Sequence, residues 1–135
     1  MKILSLVIAI YTPVMLLIHL STGKILEAWN EHPDSWISRS FPPRRALRVE
    51  GVFWLLALIS WVLWQSLLWK VLVVLFAAIH LGIWAADESR ANGKNVATFK
   101  VSAIMKRVIV VFDMAEAVVL AGIGIVAILY LSHAG

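Results

Sequence analysis

Three long apolar runs constrain the fold of this chain more than any other feature: Ile3–Leu20, residues 51–86 and Val108–Leu131. A helix needs about 20 mainly apolar residues to cross a bilayer, where its backbone groups must be satisfied internally. Hydrophobic residues make up 61% of the chain and charged residues 15%, against roughly 45–50% and about 25% in soluble domains. The sequence therefore predicts an all-α polytopic membrane protein, with residues 1–135 forming a single domain. No small-x-small cleavage site follows Leu20, which favours a span over a signal peptide.

The run 51–86 is too long for one span. As one helix it would measure about 54 Å, against about 30 Å of hydrocarbon. Its polar interruption is Gln65-Ser66, and the tryptophans of this region, Trp54 among them, are expected in interfacial belts or in packing. We predict four transmembrane helices in an up-down bundle, with a tight hairpin between the second and third helices near residues 65–69. The predicted spans are about 3–21, 47–65, 69–87 and 106–131.

Basic residues predict the orientation of these spans. Lys2 and Lys70 are the only two of the 12 Lys and Arg residues that lie outside segments 21–50 and 87–107, which four spans place on one side of the membrane. By the positive-inside rule both termini are then periplasmic and both long loops cytoplasmic, in a bacterial inner membrane. One span over 51–86 would divide the basic residues evenly, so their distribution supports four spans. The predicted cytoplasmic loops are about 22–46 and 88–105.

Four ionisable residues lie inside the apolar runs: His19, His80, Asp113 and Glu116. An ionisable side chain is costly in hydrocarbon, so each is a candidate functional group. Counted at about 1.5 Å per residue from the nearest charged boundary, all four fall in the cytoplasmic half, with Glu50 near its edge. Each predicted helix thus contributes a titratable group. Because neighbours on the same helix offer few partners, we expect these faces to converge inside the bundle.

Two helix faces are suited to such packing. On the first helix Ser5, Thr12 and His19 recur every seven residues and form a weakly polar stripe. On the fourth helix, small residues allow another helix to approach closely, and an aspartate on the same face then lies at the helix–helix interface. The members of this second face are Asp113, Ala117, Ala121 and Gly124.

The intramembrane set is compatible with several ligands. His19 and His80, on separate helices, are candidate cofactor-binding residues and match the axial ligands of a haem b. His80, Asp113 and Glu116 offer the imidazole and carboxylate donors of a divalent metal site. Glu50, Asp113 and Glu116 are alternatively a proton relay or a structural buried polar layer. No H-E-x-x-H or related motif selects among these readings.

Arg44, Arg45 and Arg48 follow Pro42-Pro43 at the start of the second predicted span. We expect them to contact anionic headgroups, with an anionic ligand as the alternative. No basic run interleaved with stacking aromatics is present, so nucleic acid is not an expected partner. The chain has no cysteine, which excludes disulfides and thiolate metal sites.

These features predict a small membrane protein that acts as an accessory subunit or as a cofactor- or metal-binding subunit. A component of proton- or cation-coupled transport is the alternative. A lipid-modifying enzyme, with His80 or Glu50 as base, ranks lower because the chain carries no nucleophile motif. Expected partners are the lipid bilayer and either further copies of the chain or a larger membrane complex.

Overall fold

The computed structural model describes residues 1–60, 63–91 and 101–133. Residues 61–62 of the second predicted span and residues 92–100 of the second predicted loop lie outside these ranges. Within them the chain forms six α-helices and no strand. Their bounds are Lys2–Leu20 (α1), Thr22–Glu31 (α2), Trp36–Ser40 (α3), Pro43–Ile59 (α4), Leu67–Ala91 (α5) and Ala103–His133 (α6).

Three of the described helices are long and apolar enough to cross a membrane: Lys2–Leu20, Leu67–Ser89 and Ala103–His133. Their outward faces expose large apolar side chains, such as Ile3 and Val118. Lipid solvates such a surface and water does not. The structure thus indicates an integral membrane protein, as predicted.

The second predicted span, 47–65, differs most from the structure. The corresponding helix is α4, which has 17 residues and is about 25 Å long. The helix begins at Pro43, because proline fits the first helical position, where no amide hydrogen is needed. Four charged residues lie in its first half, which makes it less apolar than the three helices above: Arg44, Arg45, Arg48 and Glu50.

The turn between α4 and α5 and the end of the first span also differ from prediction. α4 ends at Ile59 and α5 begins at Leu67, so residues 67–69 of the predicted hairpin are helical, and α5 extends beyond both ends of the predicted span 69–87. The helical chain also continues past residue 21 into α2, after a bend at Ser21 that helical backbone hydrogen bonds cross. This predicted loop segment is helical because α2 packs against α6 and buries Leu26 and Ala28.

α1 and α6 form an antiparallel pair. His19, near the C-terminal end of α1, faces Glu116, while Thr12 lies against Gly124, further along α6. Ser5, Thr12 and His19 are all buried, and both hydroxyls donate to the carbonyl four residues earlier. The polar stripe of α1 therefore meets the small-residue face of α6.

α4 and α5 form a second antiparallel pair. Arg44 Nε lies 3.0 Å from Asp87 Oδ2 near one end of the pair. Further along, the Trp54 ring stacks on the ring of His80, with a centroid distance of 5.7 Å. The two pairs enclose one apolar core, whose largest members are Ile8, Met15, Phe53, Trp54, Trp64, Leu120 and Ile123.

The described parts of the segments predicted to be cytoplasmic lie at one end of the molecule. The backbone N–H of Val101 donates to Asn30 Oδ1 at 3.1 Å, and Arg44 pairs with Asp87 at the same end. The opposite end carries residues 63–66 and the C-terminal part of α6, which meet around a shared cavity.

The close approach of α1 to α6 predicts the effect of a methyl group at Gly124. A Cβ atom there would lie 2.8 Å from Thr12 Cγ2, so we expect Gly124→Ala to lower the free energy of unfolding by about 1–3 kcal/mol. Gly82→Ala is the matched control, because a Cβ at Gly82 meets nothing within 4 Å and alanine favours a helix. Thermal unfolding in detergent measures both. Equal changes in unfolding temperature in the two variants would contradict the close packing of α1 against α6 at Gly124.

Candidate metal centre

A buried polar cluster takes one side chain from each of four helices: His19 (α1), Glu50 (α4), His80 (α5) and Glu116 (α6). His19, His80 and Glu116 are 1%, 6% and 0% exposed, and the Glu50 side chain is 16% exposed. Burying ionisable groups is costly unless they are paired or bind a cation. As expected, titratable groups from four helices converge in one cluster. The chemistry of these side chains decides which ligands the cluster is suited to.

Glu116 lies at the centre of the cluster. Its Oε1 atom is 3.3 Å from His19 Nε2 and 3.4 Å from His80 Nε2. The same oxygen accepts a hydrogen bond of 2.9 Å from Trp54 Nε1–H. Within the described ranges, Glu116 Oε2 is the one buried side-chain nitrogen or oxygen that lacks a hydrogen-bond partner. An unsatisfied buried carboxylate oxygen carries its full desolvation cost, so it is available to a cation.

Both histidine rings are held in the same tautomer. Nδ1 of His19 lies 2.9 Å from the Met15 carbonyl oxygen, and Nδ1 of His80 lies 2.9 Å from the Phe76 carbonyl oxygen. A carbonyl only accepts, so each Nδ1 carries the hydrogen and, in the neutral ring, the lone pair is on Nε2. Metal-ligating histidines are held in this way, with the outer N–H bonded to a carbonyl or carboxylate.

The orientation of the rings concentrates electron-pair donors in one small volume. Ligand atoms of His19, His80 and Glu116 all lie within 4.8 Å of one another. Glu50 Oε2 adds a fourth donor, 3.7 Å from His80 Nε2. Neutral imidazoles and carboxylates at this spacing repel one another unless a cation lies among them. If both carboxylates are ionised, one divalent ion would balance their two negative charges.

Trp54 belongs to this cluster, although the sequence placed it with belt and packing residues. It is fully buried, and its ring stacks on Phe76 and His80. A buried indole N–H needs an acceptor, and Trp54 finds it in Glu116. The sequence signal was its spacing from Glu50, because residues four apart share one face of a helix.

Asp113 lies beside the cluster. It accepts a hydrogen bond from Thr22 Oγ1 and is partly exposed. The predicted metal ligands were His80, Asp113 and Glu116, whereas the converging ligand atoms belong to His19, His80 and Glu116. Counting residues from a boundary gives depth but no direction around the helix. Side chains three residues apart differ by about 60° around the helix axis, which here is enough for Asp113 to reach Thr22 while Glu116 faces His19 and His80.

The structure also separates one of the three members of the predicted proton relay from the other two. Glu50 and Glu116 both approach His80 Nε2, at 3.7 and 3.4 Å. Asp113, the third predicted member, is bonded to Thr22 instead.

The three arginines of α4 lie at the end of the molecule where headgroups were expected. Arg44 pairs with Asp87 and Arg48 with Glu88, at 3.0 and 2.7 Å. Arg45 donates to the Ser40 carbonyl oxygen. Both ion pairs are well exposed, and such pairs contribute at most about 1 kcal/mol.

A bis-histidine haem does not fit the cluster. Glu116 Oε1 is within 3.4 Å of both Nε2 atoms, so a carboxylate fills the space where the macrocycle would lie. Trp54 covers one face of the His80 ring. The donor set suits a metal ion held directly by side chains.

The fold and site thus define a class: an all-helical integral membrane protein with a buried histidine–carboxylate cluster. Comparison of the chain with known protein families, curated proteins and solved structures finds no match. The function of the cluster is therefore inferred from its own chemistry.

The bond from Trp54 to Glu116 predicts a specific effect of removing the indole N–H. Trp54→Phe keeps an aromatic ring but leaves Glu116 without its donor, so we expect a loss of about 1.5–3 kcal/mol in unfolding free energy. Trp84→Phe is the matched control, since Trp84 donates to the exposed Glu88. Thermal unfolding in detergent compares the variants. A Trp84→Phe loss as large as that of Trp54→Phe would exclude a special role for the buried bond.

Proposed function

We propose that this chain is a metal-binding integral membrane protein that holds one divalent transition-metal ion among its helices. The proposed ligands are Nε2 of His19, Nε2 of His80 and the carboxylates of Glu116 and Glu50. The observation that carries the proposal is the convergence of two Nε2 lone pairs on a buried carboxylate whose second oxygen has no partner.

The spacing of the donors supports a small tetrahedral ion. Zinc binds nitrogen and oxygen at about 2.0–2.2 Å, which separates neighbouring tetrahedral ligands by about 3.3–3.6 Å. In the cluster, His19 Nε2 and His80 Nε2 lie 3.3 and 3.4 Å from Glu116 Oε1. Glu50 Oε2 lies 3.7 Å from His80 Nε2 but outside the group of three whose ligand atoms are all within 4.8 Å of one another, so it would move inward to complete the set. Imidazole with carboxylate suits Zn²⁺, Fe²⁺ or Mn²⁺, and the chain has no cysteine to favour a softer ion.

We further propose that α4 crosses the membrane as the second of four spans in an up-down bundle. Its length of about 25 Å is close to the hydrocarbon thickness, and arginines at its start are able to reach headgroups. α4 also buries Phe53 and Trp54 against the other helices. The basic segments share one end of the molecule, which supports cytoplasmic loops and periplasmic termini.

Cysteine labelling tests this topology without background, because the chain has no cysteine. The positions are Asp34, Gln65 and Ser132, all exposed. With four spans, an impermeant maleimide added to intact spheroplasts should label Gln65→Cys and Ser132→Cys but not Asp34→Cys. If α4 does not cross, Gln65→Cys will behave like Asp34→Cys and the four-span topology is wrong.

Metal binding by the purified protein tests the centre. We expect one Co²⁺ or Zn²⁺ per chain, with Co²⁺ giving the visible absorption of a tetrahedral site. Glu116→Gln should weaken binding by about 100-fold or more, because it removes a ligand and a charge. Affinity should also fall in mild acid, because protons compete for the same ligand atoms.

Glu88→Gln is the matched control for this experiment. It neutralises an exposed carboxylate that pairs with Arg48 at the end of α5, so its affinity should equal that of the unmodified protein. Wild-type protein that binds no Co²⁺ or Zn²⁺ would refute the proposed function. Equal weakening in both variants would show that binding depends on overall charge.

A further inference from the structure

The cluster is closed off from the end of the molecule that carries the termini. In the described part of the chain, the space between them is filled by buried apolar side chains. The three buried hydroxyls in this region, of Ser5, Thr12 and Ser60, each donate to the carbonyl four residues earlier. They therefore provide no polar route. The apolar filling includes Met15, Phe53, Val73, Phe76, Leu120 and Ile123.

The surface cavity at this end does not reach the cluster. It is lined by Trp69, Val126 and Tyr130, among others. Val126 lies ten residues beyond Glu116 on α6, a distance of about 15 Å. Leu120 and Ile123, both fully buried, lie between them.

Toward the α2 end, polar side chains on α1–α2 and α6 continue from the cluster. Thr22 follows His19 by three residues, and Asp113 precedes Glu116 by three. Because α1–α2 and α6 are antiparallel, these equal steps bring Thr22 and Asp113 together, and the Thr22 hydroxyl donates to Asp113 Oδ2. The Thr22–Asp113 pair is thus the next polar layer after His19 and Glu116.

Exposure increases along the same direction. Glu116 and His19 are 0% and 1% exposed, whereas Asp113 is partly exposed. One Asp113 oxygen is bonded to Thr22. A single carboxylate positioned in this way attracts a partly hydrated cation and binds it weakly, so the ion is free to move on to the four-donor centre.

We propose that the metal ion loads the centre from the α2 end only, and that Asp113, positioned by Thr22, is the residue that receives it. The proposal rests on the metal-binding function proposed above. It gives Asp113 a kinetic role, because Asp113 touches the ion on its way and is not a ligand in the loaded site. In the described residues, the apolar filling on the other side leaves the centre open toward the α2 end alone.

Stopped-flow absorption with Co²⁺ tests the role of Asp113. Asp113→Asn should slow association about tenfold and dissociation by the same factor, so that the equilibrium affinity is unchanged. Asp87→Asn is the matched control, since it removes another partly exposed carboxylate at the same end, and its rates should equal those of the wild type. Thr22→Val should slow association in the same sense as Asp113→Asn, which keeps the test available if Asp113→Asn does not fold.

Sidedness is tested in proteoliposomes with Co²⁺ added only outside. The fraction of chains that bind Co²⁺ should equal the fraction with the α2 end outside, which impermeant maleimide reports at Asp34→Cys. Loading of both orientations, or identical rates in Asp113→Asn and Asp87→Asn, would overturn the inference and leave the metal centre standing. Weaker equilibrium binding in Asp113→Asn alone would also overturn it, by making Asp113 a ligand. Wild-type protein that binds no Co²⁺ in detergent would instead refute the proposed function itself.

Discussion

The buried Glu116 carboxylate is the contact on which the arrangement of the helices depends. It contacts His19 within the α1/α6 pair and reaches His80 and Trp54 in the α4/α5 pair. Between helices in lipid, apolar contact gives little preference for a helix over a lipid tail, so polar contacts and close packing decide which helices associate. A buried carboxylate without its partners would cost several kcal/mol. The polar cluster therefore determines how the two pairs meet.

The two helix pairs contribute equally to this junction. The α1/α6 pair supplies His19 and Glu116, and the α4/α5 pair supplies His80 and Glu50. Each pair provides one imidazole and one carboxylate, so neither pair alone holds the full donor set. If the centre binds a metal ion, its binding free energy stabilises the joined state of the two pairs, because the ion binds the assembled form alone. Ligand binding and tertiary packing are then coupled through the same four side chains.

Sequence patterns predicted the long helices, and they selected ionisable residues that are buried, but they did not predict which of these residues converge. The apolar runs were sufficient to predict the three long helices. The cost of burying charge was sufficient to select His19, His80 and Glu116 as candidate functional residues. Depth along a helix does not give direction around it, which is why Asp113 was grouped with the metal ligands. α2 was missed because its helical state depends on packing against α6, a contact between segments that are far apart in sequence.

The donor distances bear on the proposal that a metal ion, and not a shared proton, is the cation at this junction. Protonated histidines would form charge-assisted bonds to the carboxylates at about 2.7–2.9 Å. The observed separations from Nε2 to carboxylate oxygen are 3.3, 3.4 and 3.7 Å. Crowding does not explain them, because Glu116 Oε1 accepts a normal hydrogen bond of 2.9 Å from Trp54. The spacing of His19, His80 and Glu116 is compatible with the proposed metal ion, to which the unpartnered Glu116 Oε2 would offer a further bond.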